Sequence, residues 1–143
     1  MKGSRRHARE DALQILYQLD VNPDLTPQNA FVRFEQSFSK EGKQVDEFTH
    51  RLVTGVALNR VEIDDTLKKI SEHWRPDRMS LVDRNILRLG VYELCYCNDI
   101  PATVSINEMI EVAKQFGGDN SASFINGILD KVKTTHPRPE KVT

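Results

Sequence analysis

No apolar run in this chain is long enough to cross a bilayer as a helix. The basic start from Lys2 to Arg9 is not followed by an apolar stretch, so a secretory leader is not expected. Cysteine is scarce, with Cys95 and Cys97 the only two. Two positions apart on a helix, they point to nearly opposite sides, which disfavours a mutual disulfide. With four scattered histidines they make no recognisable metal site. They read as buried apolar filler in a reduced, cytoplasmic protein. No glycine-rich loop follows a strand-like run, so no nucleotide cofactor is expected. Excess charge is missing too. The net charge is −1, and any affinity for nucleic acid has to come from a local patch.

What remains is a globular balance, 38% apolar and 29% charged, over 143 residues, the size of one ordinary domain. The apolar spacing is helical almost throughout, and no stretch alternates as a strand would. Ala8, Ala12, Ile15, Leu16 and Leu19 stripe a first helix over about 4–20. Asn22-Pro23 breaks it, and Thr26-Pro27 reads as the cap and first residue of a second helix, carrying Phe31, Phe34 and Phe38 and ending near Gly42. One long helical region is expected from Val45 to Ile70, with Phe48, Leu52, Val56, Ile63, Leu67 and Ile70 inward. Trp74-Arg75-Pro76-Asp77 breaks the chain and divides it into two helical halves, about 4–72 and 76–134, expected to pack as one domain. Ser80 caps a helix to about Cys97 that is apolar on most sides, the mark of a central helix. A helix from Thr103 to Phe116 stops at Gly117-Gly118. The last runs from Asn120 to Lys133, before a frayed tail from His136. Gly127, inside that helix, is there either for close helix packing or as a weak point. The count is six or seven helices, an all-α fold.

Lys2, Arg5, Arg6 and Arg9 precede the first acidic residue and cluster on one side of the first helix, off the core stripe, so that removing the three arginines is expected to leave folding nearly untouched. Leu13 and Tyr17 fall on the Arg6 side, outside the core stripe. Guanidinium forks grip phosphates, and an aromatic nearby can stack on an unpaired base. A solvated helix start would look the same, but basic residues there oppose the helix dipole, which favours a bound anion. Near the last helix, Lys114, the Asn120 loop and Phe124 offer a cation, free amides and a ring at the core's edge, a second surface suited to RNA. Phe124 as plain core is the competing reading. Glu108 and Glu111 lie on a solvated face with no nucleophile beside them, and no catalytic residue is nominated.

Three blocks resemble the NusB family. Arg5-Arg6-His7-Ala8-Arg9-Glu10 with Leu16-Tyr17 is similar to its early pattern. Leu87-Arg88 with Tyr92-Glu93-Leu94 is similar to its centre. Asn107-Glu108, Ala113-Lys114-Gln115-Phe116-Gly117 and Phe124-Ile125-Asn126-Gly127-Ile128-Leu129-Asp130 resemble its signature. The blocks fall in the family's order, from about Arg5 to Asp130. His7 stands where the family often has a third arginine, and Asn120 where it has an acid.

The resemblance implies about seven helices in two small packed bundles. It also implies a role in transcription antitermination on ribosomal RNA operons, through binding of boxA RNA together with NusE, a small-subunit ribosomal protein, in the RNA polymerase antitermination complex. It places NusE at Asp77 and Asp83, with Leu13 and Tyr17 nearby. Two other readings stay open. NusB-like domains also front certain ribosomal RNA methyltransferases, but this chain lacks the cofactor loop. A self-associating helical protein, or a homodimer that hides the RNA face, is the other.

Overall fold

The computed structural model describes residues 4–38 and 44–136, so Lys2, Gly42 and the tail beyond His136 lie outside the described residues. Those residues form α1 (Ser4–Val21), α2 (Pro27–Phe38), α3 (Glu47–Leu58), α4 (Arg60–Ile70), α5 (Leu81–Tyr96), α6 (Ala102–Phe116) and α7 (Ser121–Thr135), with a 3₁₀ turn at Pro76–Arg78 and no strand among them. The fold is all-α. No described helix is long and apolar enough to cross a membrane.

The helices form two compact units, divided between Leu58 and Asn59. The division therefore falls well before the Trp74–Asp77 break, because α4 packs on α5 and α7 and belongs with them. The long helix expected over 45–70 is two helices. Val56, Ile63 and Leu67 are all buried, and the seven-residue step across Asn59 keeps the apolar register unbroken. Period alone cannot see the interruption. Asn59, at φ −111° and ψ 18°, leaves helical geometry there.

In the first unit, α1 packs on both α2 and α3. Two partners widen its buried arc. Leu13, expected outside the core, is 3% exposed and fills it with Ala8, Ala12, Ile15 and Leu16. Thr26 Oγ1 accepts from the Asn29 amide at 3.2 Å, capping α2 as its sequence suggests. Thr49 Oγ1 donates to the Ala8 carbonyl at 3.0 Å, tying α3 to α1 through a buried polar bond.

In the second unit, α5 is central, and every residue from Asn85 to Leu94 is buried. Ser80 Oγ accepts from the Asp83 amide at 3.0 Å and starts the helix. Two charged side chains are buried within it. Arg88 donates to Asp64 through Nε at 2.8 Å and through Nη2 at 3.1 Å, under Trp74, whose ring centroid is 5.6 Å away. Glu93 accepts from Ser105 Oγ at 2.8 Å. Cys97 is buried but Cys95 only half so, and neither is in a disulfide.

Gly90 lets α5 approach α7, since a Cβ there would sit 2.6 Å from a Leu129 methyl. At Gly127 a Cβ would meet nothing within 4 Å, so this glycine packs against nothing. Gly127→Ala is accordingly expected to raise the unfolding free energy by about 0.5–1 kcal/mol. Urea denaturation reads the gain, and an unchanged midpoint would contradict the exposed geometry.

Candidate nucleic-acid interface

The basic turn of α1 is arranged around one ring. The Phe48 side chain, at the start of α3, is 7% exposed. The Arg5 guanidinium carbon lies 4.2 Å above its centroid, that of Arg9 5.2 Å and that of Arg51 5.9 Å away. Three cations share one phenyl, whose faces carry the negative end of its quadrupole. Local sequence does not bring them together. The packing of α1 on α3 does, which is why Phe48 and Arg51 were not foreseen as part of the basic surface.

The three expected arginines of α1 separate in role. Arg5 and Arg6 are exposed. Arg9 is 2% exposed, and as a largely interior side chain it corrects the expectation that all three lie off the core. Helix periodicity put it beside the stripe, but with both α2 and α3 against α1 there is little solvent left on that side. His7 is exposed, and its Nε2 lies 3.9 Å from Asp11. Burial pushes the Asp11 carboxyl above its usual range, while His7 pulls it down and Glu10 and Asp46 push it further up. Arg5, Phe48 and Arg51 also line a pocket of about 590 Å³ with Asp46 and Glu47. Tyr17 is 37% exposed, near the C-terminal end of α1.

The second unit holds the other candidates. Phe124 is half-buried in the first turn of α7, at the edge of the arc made by Ile125, Ile128, Leu129 and Val132. Asn120 is exposed and precedes that turn without making a side-chain cap bond. Lys114 is exposed but engaged with Glu111, Nζ to carboxylate at 3.3 Å. Asp77 is exposed in the 3₁₀ turn. Asp83 is half-buried and committed, since Ser121 Oγ donates to it at 2.7 Å while accepting from the Gly118 amide at 2.9 Å. Asp83 therefore holds the start of α7 in place. The structure brings Asp83 to the same junction as Asn120, which sequence distance conceals. Among the described residues no group of histidine, cysteine or carboxylate side chains is arranged to hold a metal ion.

Residues 6–134 match the family model described as "NusB family". A transcription antitermination protein NusB from an Anaeromyxobacter species is 48% identical over 141 residues, covering 99% of this chain and 96% of that protein. The solved T. maritima NusB superposes with a TM-score of 0.81 at 37% identity, covering 96% of both chains. A chain in a crystal structure of antitermination factors NusB and NusE in complex with dsRNA superposes with a TM-score of 0.82 at 26% identity, over 95% of this chain and all of that one.

Proposed function

Because this chain belongs to the NusB family and is a transcription antitermination factor, not an enzyme, we propose that it binds boxA RNA jointly with NusE, within the RNA polymerase antitermination complex on ribosomal RNA operons. The observation that carries the reading is Arg5. Its guanidinium is exposed, braced on the Phe48 ring, and engaged by no carboxylate among the described residues. A cation held in position but not neutralised suits a phosphate. Arg6 adds an exposed charge one residue on, and Lys2 belongs to the same basic segment.

In the second unit, the α7 N-terminus has no side-chain cap, so its first amides and the positive end of its dipole suit an anion. Phe124 beside it offers a ring edge for an unpaired base, and Asn120 a polar contact. Lys114 contributes less, being paired with Glu111. For NusE, Asp77 and Tyr17 are the exposed candidates. Asp83 acts by holding α7, and Leu13 by filling the core under α1.

The test is a titration of labelled boxA-type RNA with and without NusE. NusE is expected to tighten binding. Arg5→Ala and Arg6→Ala are each expected to weaken it and to flatten the salt dependence by ~0.7 in slope, one phosphate contact on a single strand. If the double variant binds with the parent's affinity and slope, the RNA surface is elsewhere. Light scattering during the same titration reads whether a homodimer gives way to the RNA-bound form.

A further inference from the structure

Asn120 stands where α7 would be capped and does not cap it. Asparagine is among the best capping residues, but a cap needs extended backbone at its own position. Asn120 is held at φ −105° and ψ 4° instead. Those angles suit the third residue of a type I turn, here the turn over residues 118–121. The turn is closed twice. The Ser121 amide donates to the Gly118 carbonyl at 3.1 Å, and the Gly118 amide donates to Ser121 Oγ at 2.9 Å. The hydroxyl proton of Ser121 goes to Asp83 Oδ1 at 2.7 Å, 38 residues back on α5. Ser121 is 5% exposed, and its hydroxyl fits because Gly117 lacks a side chain. A Cβ on Gly117 would lie 2.6 Å from both Cβ and Oγ of Ser121.

The consequence falls on the Asn120 side chain. It is exposed, and among the described residues no hydrogen bond engages it. We propose that Asp83 and Ser121 are positioning residues for RNA, which keep Asn120 out of the cap and present its carboxamide to the bound strand, a reading that rests on Asn120 as an RNA contact above. The carboxamide carries two donors and an acceptor, so it can bond a base edge or a ribose hydroxyl. Released from the turn, residue 120 can become extended. Its side-chain oxygen then accepts from the second or third amide of α7, and the ligand loses it. Asp83 thus acts on RNA through Ser121, and not as the NusE contact that the resemblance implies.

Two measurements on the full chain test this. Fluorescence anisotropy follows labelled boxA-type RNA without NusE. Asn120→Ala is expected to weaken binding by about three- to tenfold, the range for one hydrogen bond. Ser121→Ala and Asp83→Ala are expected to weaken it by a similar factor, and Asn120→Ala added to either should cost nothing more. Asp83→Asn keeps an oxygen that accepts from Ser121 and should restore the parent's affinity. Amide hydrogen exchange then reads the turn. Gly118 should exchange faster in Ser121→Ala and Asp83→Ala, and as slowly as in the parent in Asp83→Asn. The relay is cut from either helix, so one variant that fails to fold leaves the other to decide. Additive losses would make the relay a matter of stability alone, and equal losses in Asp83→Asn and Asp83→Ala would make charge the cause. Either result overturns the proposal. So does an Asn120→Ala variant with the parent's affinity, while a loss on Arg5→Ala would leave RNA binding itself standing. Slower NusE association in Asp83→Ala, with RNA affinity unchanged, would return Asp83 to the partner surface and overturn it too.

Discussion

Arg88→Met is expected to lower the unfolding free energy by about 3 kcal/mol, the lower end of what removing one partner of a buried ion pair costs. Methionine keeps most of the buried stem, so the loss reports the guanidinium. That group is 2% exposed and makes two bonds to Asp64, at 2.8 and 3.1 Å. Without it, Asp64 keeps Arg60, whose Nε is 3.8 Å away, and is itself 28% exposed. This partial rescue sets the estimate at the low end. Urea denaturation should show a lower midpoint at unchanged slope. A loss under about 1 kcal/mol would mean that the pair is no stronger than a surface one.

Arg9→Ala is expected to cost about 2–4 kcal/mol, from the buried methylenes of its stem and the cation held 5.2 Å from the Phe48 centroid. Arg6→Ala, at an exposed position, should stay within about 0.5 kcal/mol. The contrast separates a buried arginine from an exposed one. If Arg9→Ala leaves the melting temperature in place and flattens the salt dependence of RNA binding, Arg9 is a phosphate ligand after all. If the melting temperature falls and the slope holds, its work lies within the first unit.

These two residues also mark where the sequence was readable. Caps and stops were plain, because they are local chemistry. Thr26-Pro27 starts α2, Ser80 starts α5, and α6 ends before Gly117, as their residue types require. The apolar circumference of α5 correctly announced a central helix. The failures share a cause, since each depends on what packs from a distance. Arg9 and Leu13 were placed outside the core by assuming a narrow stripe, but α1 has two helical neighbours. The α3–α4 junction was hidden by an apolar register that runs through it. Arg88 and Glu93 stood in a family motif, yet nothing local says that a charged residue is buried against Asp64 or Ser105. Of two glycines in adjoining helices, Gly127 attracted notice and Gly90 makes the close contact.

For the candidate site the same division holds. The basic segment of α1 was legible as charge. Its organisation around Phe48 was not, because the ring lies 43 residues beyond Arg5 in the chain. Phe124 was rightly placed at the edge of the α7 arc. Asp83, which the resemblance set on the NusE-facing surface, proves to accept a hydrogen bond from Ser121.

The Ser121 hydroxyl, held by Asp83 on one side and by the Gly118 amide on the other, has a consequence for the rate and heat of any encounter at the α7 start. The turn is already locked in its final shape, so an anion arriving there meets amides that need no ordering. The entropy normally lost in freezing a loop has been spent during folding. Contact at this end should therefore form without a slow conformational step, and its strength should show in how long the ligand stays.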